Sequence, residues 1–162
     1  MKKKILFVLI INLFVFSNVY SAGSGGGDKP KKSNFDKAAA IIKTAKKFEK
    51  KNKLEKAKKN YAKAQKILLK LNEDKPNNAD TLNYLGFTTR KLGDYVNGEK
   101  YYLMGLSINP NHIGINEYLG ELYVATKRHN LAVERLEVLK GCNCKEYDDL
   151  KDIIAGKKIS KY

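Results

Sequence analysis

The sequence predicts an all-α protein: three antiparallel helix pairs and a C-terminal capping helix, stacked as a short right-handed α-solenoid. Three observations predict it. Beyond residue 34, apolar residues recur at helical spacing in stretches separated by short breaks, with no strand-like alternation of useful length. Proline occurs only three times in 162 residues, at Pro30, Pro76 and Pro110, where breaks are expected. Small residues recur at a fixed phase 34 residues apart, the mark of a stacked repeat.

The N-terminal segment precedes the fold. Lys2, Lys3 and Lys4 give it a positive start, and Ile5 to Phe16 is an apolar run of 12 residues broken only by Asn12. Ser17 to Ala22 is a small-residue exit, with Val19 and Ser21 at cleavage-site spacing. This is the pattern of a secretory signal over residues 1–22. The apolar run falls short of the ~20 residues that span a bilayer, although an uncleaved membrane anchor is the alternative. No cysteine follows the run to take a lipid. The chain is therefore expected to be exported, and periplasmic or secreted after cleavage. Residues 23–34 combine Gly23-Ser24-Gly25-Gly26-Gly27 with Lys29-Pro30-Lys31-Lys32, which predicts a flexible linker. The remainder is the size of one domain with its own core.

The helices follow in order. The spacing predicts 35–51 and 54–73 as a first pair, 79–92 and 95–108 as a second, 113–126 and 129–140 as a third, and 146–155 as a cap. Gly86 and Gly120, Gly98 and Ala132, Tyr102 and Leu136, and Leu85 and Leu119 all stand 34 residues apart. Antiparallel helices touch closely only where the crossing residues lack bulk, and large residues a turn away then fill the gaps. In the last helix Tyr147, Leu150, Ile153 and Ile154 form one apolar stripe, acids crowd the first turn and Gly156 closes the end. Residues 157–162 are a basic tail.

This arrangement resembles the tetratricopeptide repeat family. In the copy at 79–112, Leu82, Leu85 and Gly86 follow the family's opening pattern and Gly93-Asp94-Tyr95 its inter-helix turn. Gly98, Tyr102, Gly105 and Pro110 take the small, aromatic, second small and closing positions; Thr89 departs from the expected tyrosine. The copy at 113–144 matches through Leu119, Gly120, Tyr123, Ala132, Leu136 and Leu139, but Asn116 replaces a large apolar residue and no proline closes it. The copy at 38–78 carries Ala45, Phe48, Asn52, Leu54, Ala57, Tyr61 and Ala64 in the family's spacing. Ala45 precedes Gly86 by 41 residues, so seven extra residues, about two turns, lengthen the second helix through Ile67, Leu68 and Leu71 to Pro76. A rival register aligns Tyr61 with Tyr95 but puts Lys50–Lys53 in a packing slot. The cysteine cluster before a Glu-Tyr-x-x-Leu helix also resembles a group of small exported bacterial repeat proteins without a defined activity.

Net charge is +15, and its distribution is uneven. Residues 29–75 hold 17 lysines against 5 acids, whereas residues 76–162 hold 12 basic residues against 11 acids. A solvated helix face, an anionic membrane or cell-wall surface, and nucleic acid are the three readings of that excess. Nucleic acid is not expected. Lysine outnumbers arginine 29 to 3, and Phe35, Phe48 and Tyr61, the only aromatics in the basic stretch, sit at core spacing.

No catalytic motif is present: no G-x-S-x-G, no phosphate loop and no H-E-x-x-H. His112 and His129 fall in turns, where packing as aromatics is expected. No enzyme activity, cofactor, metal or small-molecule substrate is predicted. Cys142 and Cys144 are read as a local disulfide fixing the turn into the last helix, with a bond to another chain, a free reactive thiol or a metal site as alternatives. The tetratricopeptide resemblance implies a protein or peptide partner lying against the first helices of successive pairs. It points to a groove of Lys46, Lys50, Asn83, Phe87, Arg90, Glu117 and Glu121, running from basic to acidic, with Phe87 as an exposed anchor. A merely solvated groove is the alternative. The family's grip on a C-terminal carboxylate is not carried over, because Phe87 and Glu121 stand where polar or basic groups would be needed.

Overall fold

The computed structural model describes residues 33–159; the expected signal segment over 1–22, the expected linker as far as residue 32 and the last three residues of the tail lie outside them. Seven helices run in order: α1 Asn34–Lys50, α2 Leu54–Asp74, α3 Ala79–Lys91, α4 Tyr95–Ile108, α5 Ile113–Ala125, α6 His129–Val138 and α7 Lys145–Ile154. Among the described residues there is no strand. The architecture is the all-α stack of antiparallel helix pairs that the spacing predicts: α1 packs on α2, α3 on α4 and α5 on α6, and α7 closes the array against α5 and α6.

Local chemistry starts the helices. The Ser33 hydroxyl accepts from the Asp36 amide at 3.0 Å while the Asp36 carboxylate accepts from the Ser33 amide at 3.2 Å, a reciprocal cap on α1. Asn78 caps α3 by accepting from the Thr81 amide, and Asp94 caps α4 by accepting from the Asn97 amide. The cap of α5 is His112, whose Nδ1 accepts from the Ile115 amide at 3.2 Å. That places the ring proton on Nε2, which donates to Asp80 at 3.1 Å. His112 is thus a cap that ties α5 to α3, not the packed aromatic expected from its turn position. His129 stands exposed at the start of α6 rather than packing.

The first helix of each pair ends in one way. Asn52, Gly93 and Lys127 adopt φ of +53°, +97° and +61°. The next residue's amide then reaches back to a carbonyl five residues earlier: Lys53 to Phe48, Asp94 to Thr89, and Arg128 to Tyr123. A left-handed residue at this point satisfies the last helical carbonyls and reverses the chain into the second helix. Nothing lies within 4 Å of the Cβ that Gly93 lacks, so its role there is conformational.

Within the pairs, glycine sets the approach. A Cβ on Gly86 would lie 2.5 Å from the ring of Tyr102, which is fully buried. One on Gly98 would lie 3.1 Å from Cβ of Arg90 and 3.2 Å from the Gly86 carbonyl oxygen. A Cβ on Gly105 would meet Ile115 of the next pair at 2.4 Å. Gly120 is met by Leu150 of α7, not by a residue of α6. Leu136, which stands where Tyr102 does one repeat earlier, is smaller and half-buried, and the capping helix fills the space.

The first pair uses alanine for the same purpose. Ala45, Ala57, Tyr61 and Ala64 are all buried, as are Gly86, Gly98, Tyr102 and Gly105 that follow them by 41 residues. Tyr61 is 1 % exposed against 39 % for Tyr95, so the two tyrosines do not occupy equivalent positions. Helix α2 has 21 residues and α4 has 14, a difference of two turns. The apolar part of the extension is buried at Leu68.

Asn116 is fully buried where a large apolar residue is expected, and it is satisfied: its amide donates to the carbonyls of Pro110 and His112. Helix α6 ends at Val138, two residues short of its predicted end, because Gly141 at φ +88° turns the chain. Cys142 and Cys144 are disulfide-bonded, with Cα atoms 5.1 Å apart and Asn143 between them at φ +49°. Cys144 is the residue preceding α7, so the bond sits at the entry to the capping helix.

Candidate functional site

The first helices of the pairs, with α7 and the two residues Lys158 and Ile159 beyond it, surround a cleft of about 250 Å³. Six of the seven groove residues expected from the sequence line it: Lys46 and Lys50 from α1, Phe87 and Arg90 from α3, and Glu117 and Glu121 from α5. Asn83 does not. It is buried about one turn before Phe87, with its amide nitrogen 2.8 Å from where a Cβ on Gly114 would lie. The 34-residue phase makes Asn83 the counterpart of Glu117, but its side chain packs against the bare Gly114 between α3 and α5 instead of reaching the cleft.

Phe87 is 4 % exposed and is not the exposed anchor expected of it. Its ring lies 5.7 Å from that of Tyr61, edge-on, and 5.0 Å from that of Tyr118. Cations cover it. The Lys46 ammonium is 4.3 Å from the Phe87 centroid and donates to the Tyr118 hydroxyl at 3.1 Å. The Arg90 guanidinium is 5.4 Å from the same ring and 5.3 Å from that of Tyr118. Tyr118 was not singled out from the sequence. Its position one residue after Glu117 suggests a helix flank, and only the fold brings it over Phe87.

Arg90 is 2 % exposed and spans from α3 to α5, donating to Glu121 at 2.9 Å and to the Tyr118 carbonyl at 2.8 Å. Around the rim, Lys91 pairs with Glu49 at 2.7 Å, and Lys145 and Lys158 both pair with Asp149. Bases and acids therefore interleave, and the cleft does not run simply from a basic to an acidic end. These α7 partners, with Glu146, were also missed in the sequence, because the capping helix carries no repeat position that would assign them to the groove.

Glu117 differs from its neighbours. It is 8 % exposed, lines the cleft, and has no hydrogen-bond or ion-pair partner among the described residues. Burial raises its carboxyl from the ordinary 4.5 to about 8, helped by the charges of Glu121, Glu146 and Asp149 and opposed by Lys46. Burial likewise pushes the Tyr118 hydroxyl up, so it stays protonated. Among the described residues there is no cluster of three or more His, Cys, Asp or Glu side chains fit to hold a metal ion.

No protein-family profile matches the chain, and no curated protein matches it. Among solved structures it is similar to the first TPR domain of Spaghetti (RPAP3), described as bound to the HSP90 peptide SRMEEVD, at 18% identity. That match covers 75% of this chain and 93% of the other with a TM-score of 0.49. It is also similar to the TPR domain of Arabidopsis OM64 at 13% identity, covering 78% of this chain and 100% of the other, again at 0.49. At this level of similarity the fold rests on the helix pairs themselves.

The Glu117 carboxyl gives a signed pH dependence. Between pH 4.5 and about 8 the folded state holds a proton that the unfolded chain has lost, so stability falls as pH rises through that window. Glu117→Gln removes the effect. Urea denaturation should find the variant more stable than the parent above pH 8 by on the order of 2 kcal/mol and nearly equal to it at pH 4. An equal difference at both pH values would contradict the reading.

Proposed function

We propose that this protein is a non-catalytic scaffold that binds a peptide segment of another protein in the cleft between its first helices and its capping helix. The observation that carries the reading is the lining itself: aromatic rings, fixed ion pairs and the carboxyls of Glu117 and Glu146, which have no ion-pair partner among the described residues, converge from α1, α3, α5 and α7 on a single concavity. Eleven of the fifteen lining residues are charged, which suits recognition of a polar, charged segment by electrostatic complementarity. The export of the chain rests on residues 1–22, and the bonded cysteine pair suits an oxidising compartment. The setting we infer is therefore the bacterial envelope or the medium.

The test uses side chains that the fold does not need. Lys50 is exposed and Glu146 half-buried at the rim, so reversing both with Lys50→Glu and Glu146→Lys should preserve helicity by circular dichroism. Random peptides selected on the parent protein should lose about tenfold or more in affinity for the double variant. Failure to enrich any peptide, or unchanged affinity, would reject the cleft as the binding site.

A second reading is favoured by one surface. Lys56, Lys59, Lys63, Lys66 and Lys70 follow a three-four spacing along α2, opposite the buried Ala57, Tyr61, Ala64 and Leu68. All five are exposed, and none forms an ion pair among the described residues. They make a cationic ridge roughly 20 Å long that could rest on an anionic envelope surface. No described helix is long and apolar enough to cross a membrane. Binding to vesicles rich in phosphatidylglycerol should fade as salt rises and vanish when the five lysines become glutamine. Salt-insensitive binding, or none at low salt, would reject this reading.

A further inference from the structure

We infer that the cleft contains a subsite for a basic side chain, an arginine or lysine of the bound segment, with Glu117 as its acceptor. The inference rests on the peptide-binding reading and adds the chemistry of the residue that enters.

The charges facing Glu117 are nearly all committed elsewhere. From α3, Arg90 is held by Glu121 and the Tyr118 carbonyl. From α7 and the residues after it, Lys145 and Lys158 are held by Asp149. From α1, Lys46 donates to Tyr118 and stands over the Phe87 ring. Glu117 itself is more than nine-tenths buried, lines the cleft and meets no donor.

A buried carboxyl without a partner is costly to leave unpaired. The groups that act on it most strongly after burial are acids: Glu121 on its own helix, and Glu146 and Asp149 on α7. Glu121 is held by Arg90 and Asp149 by Lys145 and Lys158, so Glu117 and Glu146 are the lining acids that no ion pair answers among the described residues, and a guanidinium or ammonium entering the cleft would be drawn to them. The cation would also replace the proton that Glu117 holds when the cleft is empty. A volume of about 250 Å³ accommodates a long side chain with its nearest neighbours. Ile153 and Ile159 also line the cleft and offer apolar cover for the aliphatic stem.

The test is an array of hexapeptides, blocked at both ends, built on the sequences selected above. Each position carries arginine or lysine in turn, or the uncharged citrulline or norleucine. The purified protein should retain the basic member at one position about tenfold better than its uncharged counterpart at pH 7.5. Glu117→Gln, a close mimic of the protonated acid, should abolish that preference with helicity unchanged. The preference should strengthen from pH 6 to 8.5 in the parent and stay flat in the variant. Peptides retained without a basic preference, or with one that survives Glu117→Gln, would overturn the subsite while leaving the cleft as a binding site. Retention of no peptide at all would overturn both.

Discussion

A guanidinium withdrawn from water must be met by an anion, and Arg90 is met by Glu121 across the boundary between the second and third helix pairs. Burying such a pair costs desolvation on both sides, so its net contribution to stability is small. Removing one partner is another matter, since it strands a charge at a cost of about 3–5 kcal/mol. The pair therefore acts as a constraint: the two helices are held in the register that brings these residues together. Gly98 contributes from behind. A side chain there would press on the Cβ and backbone nitrogen of Arg90, so the bare position lets α4 lie close against α3.

The character of the cleft follows from that commitment. Because Arg90 serves Glu121, it does not serve Glu117 one turn earlier on α5. Because Lys145 and Lys158 serve Asp149, they do not serve it either. An unpaired carboxyl is left in a cleft where bases and acids interleave. The lysine ridge on α2 is exposed and screened by salt, whereas Glu117 is buried and its carboxyl is raised to about 8.

The repeat is the part of the fold most legible in the sequence, because close helix contact leaves chemical traces at a fixed phase. Gly86, Gly98, Tyr102 and Gly105 name their own packing positions, and the seven-residue offset of the first pair appears as two additional turns of α2. The cysteine pair was also legible, since two cysteines separated by one residue have each other as the nearest partner. Legibility failed where a side chain's surroundings come from another repeat. Phase puts Phe87 on the inner face of α3, but burial beneath Lys46 and beside Tyr118 depends on how α1 and α5 lean over it. Asn83 is on the right helix and still misses the cleft, because the gap at Gly114 lies in the next pair. His112 looks like a packed ring until the Ile115 amide and Asp80 are seen on either side of it. Glu117 is readable as a groove acid, but that it lacks a partner is a property of where every neighbouring cation goes.

An unpaired, desolvated Glu117 can be observed directly by following its side-chain carboxyl carbon by NMR through a pH titration of the free protein. A midpoint near 8 is the value its burial among acids demands. A midpoint near the ordinary 4.5 would mean that solvent or a cation already satisfies the group, and would contradict a cleft built around an open acid.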